Sequence, residues 1–463
     1  MARTVWFKQS QGLATKFDPS RIQYDKNAGV LHLSEAFNID FDFTGAIFRR
    51  KGYELSTAGN FHSFFWGGGE CVVVKDDELS LLAEDLSITQ IRTGLSPNRL
   101  SYCQMGDSVL YMNGFQSGVV KNGMNYDYTM PPKIYYPDQT RVYNDPPIGH
   151  IVRSYAGRVW IAVNNTLMYS EPFGPNLFRL SVNYIPFSAR ITMIAPVRNG
   201  LVVSTTSKIY FMLGNNPKDM TQTVLAHYPV IEGTDVEVDG IAIAAGKISP
   251  LPMQMFTTTN GICIVTTEGQ LHNLTYQTLE YPKANRGCAV YTGDKYIVSL
   301  DGEDNNLAMC VSLSKVAVSQ YANYDFSGMR KFKDTVIGGD ANGLYTLMTG
   351  NTDADTLIPA HFRTGPTDFG AEEEKRLRKV YISIRSSGVM QIAVSGDERE
   401  DIPREITPYN DILKIIHQQV DGGRDMKGKY LDLKVSNVNG SDFTITEIQA
   451  LLIVKGAKTT EVM

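Results

Sequence analysis

The side chains able to do chemistry are few and scattered. The seven histidines are His32, His62, His150, His227, His272, His361 and His417, and no two fall within five residues of each other. Neither an HxH nor an HExxH metal pair can therefore form on one strand or helix face. Cys71, Cys103, Cys263, Cys288 and Cys310 make no CxxC pair and sit among β-branched residues. An odd, dispersed set of this kind reads as buried thiols rather than as a disulfide framework or a zinc site. No GxSxG elbow and no glycine-rich loop ending in Lys-Ser/Thr is present, which removes the common acyl- and phosphoryl-transfer signatures. Acidic turns at Asp301, Glu303 and Asp304 and at Asp353 and Asp355 lack the full calcium-loop pattern. Nothing pairs two carboxylates as a glycosidase needs. Repeated sialidase boxes and Trp-Asp repeats are also absent, the only tryptophans being Trp6, Trp66 and Trp160. The sequence therefore points to a protein that binds rather than an enzyme, and it implies no cofactor and no metal.

The elements that would carry any such site are strands. The chain has 463 residues, 10% aromatic, with 24 Tyr, 20 Phe and 40 Gly. That mixture suits many short strands joined by tight turns. The stretch AGRVWIAVNNTLMYS, 156–170, is strand, Asn-Asn turn, strand, because asparagine tolerates positive φ. The same pattern returns near His62, Ser101, His150, Thr192, Met253, Gly287 and Gly328. The starts are about 44 residues apart on average, within the range of propeller blades. Turn residues fall at one place in the unit: Gly67-Gly68-Gly69, Gly106-Asp107, Asn199-Gly200, Asn260-Gly261, Gly293-Asp294 and Asn342-Gly343. A small sheet that is apolar on both faces must stack radially on its neighbours to bury them. The fold expected is all-β, with about seven propeller blades over residues 61–355. The runs VVV, VWIAV, LVVS, ICIV and KYIVSL would be the innermost strands. Residues 1–60 supply strands or an arm that completes the propeller. A small antiparallel β-sandwich follows over residues 356–463, with a short helix (DILKIIHQQ) in its long connection and fraying final residues.

Contacts with other molecules are expected from loops and termini. Residues 121–149 hold Pro131, Pro132, Pro137, Pro146 and Pro147, too many for ladder strands. Tyr126, Tyr128, Tyr135 and Tyr136 in this loop are candidate partner contacts. The basic run Arg49, Arg50 and Lys51 and the acidic run Glu372, Glu373 and Glu374 are the others. The formal charge of −5 excludes a general nucleic-acid binder of the basic-patch kind. The start MARTVWFKQSQG has no apolar signal core, and no run approaches a membrane span, so no membrane insertion is expected.

AFNIDFDFTGAIFRRKGYEL (36–55), IRTGLSPNRLSYCQMGDSVLYMNG (91–114), RTGPTDFG (363–370) followed by KRLRKVYI, and GKYLDLKVSNVNGSDFTITEI (428–448) resemble virion proteins of tailed bacteriophages and prophages. In those an N-v-D…G…R-R-x-G-Y stretch precedes a propeller. The resemblance implies a structural tail component: a hub, nozzle or head-to-tail accessory subunit. Copies would form a ring, commonly six-fold, that conducts double-stranded DNA on ejection. The ring would dock against portal, adaptor and other tail or fibre proteins. Such a chain is made in the host cytoplasm and ends in the virion tail. The alternative is a carbohydrate- or receptor-binding propeller at the tail tip, with tyrosines stacked on sugar rings. A polysaccharide hydrolase or lyase ranks third, because no acid pair can be nominated.

Overall fold

The computed structural model describes residues 2–281, 283–302, 306–397, 399–407, 416–421 and 426–454. These residues are all-β, interrupted by single-turn 3-10 segments. Five successive stretches, 61–92, 101–126, 151–186, 191–226 and 236–273, each fold into an independent four-stranded antiparallel meander. Their tight turns follow from local chemistry. Gly68 and Gly69 take φ of +62° and +83° between the paired residues Gly67 and Glu70, the backbone of a two-residue primed turn. Asn164 (φ +55°) does the same between Val163 and Thr166.

The next four strands, spanning 284–321, repeat the meander. Its last strand, Ala317–Tyr321, pairs in parallel with Glu35–Phe37 and so opens into a nine-stranded sheet. Strands Gly328–Phe332, Thr335–Gly339 and Gly343–Thr349 take their fourth strand from far upstream: Gly52–Ala58 runs antiparallel to Gly343–Thr349. This sheet has six strands in all.

Neighbouring sheets bury their faces against each other. Val72 and Val74 meet Tyr102 and Val109. Cys103 and Leu110 meet Val152 and Ile161, and Trp160 meets Ile191 and Leu201. Val202 packs with Phe256 and Cys263, and Met255 and Ile264 with Val298 and Met309. Ile297 and Cys310 meet Met329 and Val336. Finally Ile337 and Leu344 meet Phe61 and Val73, so the last sheet returns to the first. The fold is a β-propeller. Its division into six or seven blades depends on how the two extended sheets are partitioned.

The opening strand of each sheet faces the axis, where Ser63, Ser101, Arg153, Thr192, Glu237 and Arg330 border one central cavity. This corrects the expectation that the most apolar runs are innermost. Those runs are second strands, Glu70–Lys75, Arg158–Val163, Gly200–Thr205, Gly261–Val265 and Lys295–Gly302. A second strand has a strand on each side and a sheet on each face, so it is the most completely desiccated position. The axial strand borders water-accessible space and carries polar groups. Trp160 is fully buried, and its indole N–H donates to Tyr155 O at 3.1 Å.

The two ends of the chain come together. Ala2–Phe7 pairs antiparallel with Phe443–Val454, which pairs in turn with Lys375–Ser386. Phe7, Ile382 and Ile384 from this sheet share a core with Phe362, Leu433 and Val435 from the strands that continue the nine-stranded sheet of the ring. The connection 402–419, expected to be irregular, begins in strand Arg399–Ile406, and of the stretch expected to be helical, 411–419, the described residues 416–419 belong to strand Ile416–Asp421. Residues 408–415, the final 455–463, and Glu303 and Asp304 of the acidic turn lie outside the described residues.

Candidate functional site

The residues expected to meet partners range from buried to exposed. Arg49 and Arg50 are buried, which removes them from any partner surface and corrects that expectation. Arg50 grips Asp353 with two parallel bonds of 2.8 and 2.6 Å, and it also donates to Asn38 Oδ1 (2.8 Å) and Ala322 O (2.8 Å). Burial opposes the Arg50 charge, but the Asp353 carboxylate overcomes that and holds the guanidinium above its ordinary value. Arg49 donates to Asn351 O (2.7 Å) and Asn351 Oδ1 (2.8 Å) and approaches Asp442. Nearby, Asp40 accepts from the Lys295 ammonium at 2.6 Å and from the Tyr321 hydroxyl. These groups bolt the segment 38–53 onto the last two sheets of the ring. Lys51 is exposed, 3.8 Å from Asp442.

The tyrosines divide. Tyr128 is buried and donates to Pro175 O, so it too is a structural anchor and not a partner contact. Tyr136 is half-buried against Tyr143, ring centroids 4.9 Å apart. Tyr126 and Tyr135 are exposed. Around them the 127–148 loop packs on the 171–183 segment through Asn144 N to Phe178 O (2.8 Å) and Asn176 Nδ2 to Thr129 O (3.0 Å). The resulting lobe exposes Ile134, Val142 and Phe173 at 74%, 80% and 89%, with Phe115 and Met124 close by in sequence. Glu372, Glu373 and Glu374 are exposed at the entry to Lys375–Ser386.

The axial cavity, about 990 Å³, was not anticipated as a site. It is strongly cationic within an acidic chain. Arg99, Arg153, Arg190, Arg286, Arg330, Lys331 and Lys333 border it, against the carboxylates Glu232, Asp235 and Glu237. Two ion pairs cross between sheets: Arg153 to Asp235 and Arg190 to Glu232, both 3.0 Å. Arg99 reaches from the loop before Ser101 to Gly287 O at 2.7 Å. That junction needs glycine at 233, where φ is +87° and a Cβ would lie 2.6 Å from Gly287 O. Lys333 pairs with Glu84. Arg330 differs: among the described residues it has a ring contact, its guanidinium 5.3 Å from the Phe65 centroid, but no hydrogen bond or ion pair. Burial first, and then the neighbouring Arg153, push it below its ordinary value. Phe65 itself stacks on Tyr102 at 5.4 Å. Sequence did hold a signal for this cavity: Arg153 in IVRSY, Arg286 in ANRGC and Arg330 in GMRKF each place a cation in an opening strand.

All five cysteines are buried and free. Burial pushes the thiols of Cys71, Cys103 and Cys288 up to about 12 and that of Cys263 to about 11, which leaves them inert at neutral pH. Among the described residues no cluster of three His, Cys, Asp or Glu side chains is placed to hold a metal ion. No helix there is long and apolar enough to cross a membrane.

No protein-family model and no curated protein matches the chain. Solved structures do. A computationally designed protein, Ika8, has 7% identity and a TM-score of 0.38 over 74% of this chain and 99% of its own. The extracellular domain of a one component system from B. thetaiotaomicron has 13% identity and a TM-score of 0.44; the match covers 90% of this chain but 64% of the other. The WD40 β-propeller domain of Doa1 has 14% identity and a TM-score of 0.39 over 64% and 96%. At these values the likenesses carry no argument about function.

Proposed function

We propose that the chain is a structural subunit of a tailed-phage virion, of the tail hub, nozzle or connector kind, acting by binding rather than by catalysis. The observation that carries the reading is the outer lobe. Ile134, Tyr135, Val142 and Phe173 stand in solvent on loops whose bases are fastened to a rigid ring. Exposed apolar groups concentrated in this way mark an interaction surface, and together with the sequence resemblance they favour assembly with further copies and with other tail proteins. A head-to-tail contact of this kind closes into a ring by rotation. In that assembly the DNA path is the axis of the ring of subunits. The propeller's own channel is crossed by Arg99 and by the Arg153–Asp235 pair, which leaves no passage for a duplex. The reading includes a seven-bladed propeller, the Gly52–Ala58 strand closing the last blade, and a terminal β-sandwich built from both chain ends.

Negative-stain microscopy and light scattering on the full chain, with incorporation into tails, test the proposal. Closed rings or tail-bound copies are expected. A clean monomer at high concentration that binds glycans and stays out of particles would replace it with the receptor-binding reading, for which exposed Tyr126 and Tyr135 are the candidate platforms.

A further inference from the structure

We propose that the axial cavity is a binding site for a small oxyanion, a carboxylate- or phosphate-bearing molecule seated on Arg330. The argument is one of charge left over. Of the carboxylates on the cavity wall, Asp235 is taken by Arg153 and Glu232 by Arg190. Glu237 is solvent-exposed and makes no ion pair among the described residues. Arg99 is spent on Gly287 O and Lys333 on Glu84. Arg330 remains, its guanidinium near the Phe65 ring, with no side-chain acceptor among the described residues. Arg286 and Lys331, both exposed, add two further cations without an ion pair among the described residues. Arg330 is half-buried at the edge of this cavity, where a guanidinium beside other cations attracts an anion more strongly than one in open solvent. With an anion seated it becomes a strong site, because the planar fork of arginine matches a carboxylate or phosphate with two parallel bonds. The aromatic pair Phe65–Tyr102 beside Arg330 offers an apolar contact for whatever carries the anion. This site uses none of the residues of the outer lobe, so it stands or falls independently of assembly.

Titration calorimetry on the full chain with inorganic phosphate and with citrate, at ionic strength held constant with chloride, tests it and separates the two carriers. Saturable binding of at least one anion is expected, weakened about tenfold or more in Arg330→Gln. Modification of the wild-type arginines by phenylglyoxal gives a second reading that needs no variant. The anion should protect Arg330 from reaction, as seen by peptide mass mapping. No saturable binding of either anion, wild-type affinity in a folded Arg330→Gln, or unchanged Arg330 modification would each overturn the proposal.

Discussion

Two groups of arginines in this molecule, one buried and one around the axial cavity, are handled in opposite ways. At the clasp, Arg50 has a carboxylate, a side-chain amide and backbone carbonyls around it, and the rings of Tyr321 and Tyr324 flank it at 5.1 and 5.2 Å. At the axis, cations outnumber carboxylates and, among the described residues, the Arg330 side chain meets a phenyl face and no acceptor. A buried charge whose every donor is matched has a structural task that is complete in the folded chain. One left unmatched at the edge of a cavity keeps its donors free for water or for the proposed anion. Clasp and axis are both rich in arginine, so composition cannot distinguish them; only the inventory of acceptors can.

The sharpest way to break the contrast is to remove the carboxylate from the clasp. Asp353→Ala leaves the Arg50 guanidinium buried and unpaired, and should lower stability by about 3–5 kcal/mol, read as a shift in the urea midpoint.

Acid should weaken the fold next. Burial is the main reason that His32, His62, His150 and His361 are held below the ordinary histidine value, with Arg99 adding to it at His62 and Lys434 at His361. The unfolded chain therefore takes up protons first as pH falls. The stability from keeping these rings neutral is complete above about pH 6.5 and is lost as pH drops through their depressed folded values. Melting temperature should hold from pH 8 to 7 and decline below 6.5. A flat profile to pH 5 would show that these rings are not buried in solution.

Arg330→Gln should behave unlike Asp353→Ala. With no partner to orphan, it should change stability by no more than about 1 kcal/mol in either direction; a loss as large as that of the clasp variant would show that Arg330 has a hidden structural acceptor. The smallest effect is expected on the lobe. Tyr135→Ser and Phe173→Ser should leave the monomer's stability within about 0.5 kcal/mol while reducing any self-association seen by sedimentation.

The sequence made legible what is local. Each sheet is a run of hairpins, so turn residues such as Asn164 and Gly68 mark the repeating unit directly. It hid what is distant. Arg49 and Arg50 look like a solvated basic run because their acceptors, Asn351, Asp353 and Asp442, lie about 300 to 390 residues away. Tyr128 looks equivalent to Tyr126 and Tyr135 until its bond to Pro175 is seen. The most apolar strands were placed one position too far inward, because hydrophobicity reports the best-covered strand and not the one on the axis. The axial arginines were visible letter by letter, yet nothing in one unit reveals that Arg153 faces Asp235 across a ring.

The pairing of Gly52–Ala58 with Gly343–Thr349 has a consequence in time. A ribosome makes roughly 5–20 residues per second, so the early strand waits on the order of 15–60 s for a partner made about 285 residues later. Throughout that interval its edge is open to any other nascent chain, the circumstance in which intermolecular strand exchange begins. Segment 38–53, whose guanidinium groups await the same late-made stretch, is exposed for just as long. The yield of correctly closed molecules should therefore depend on elongation rate and on chaperones that shield strand edges, more than on the final stability of the ring.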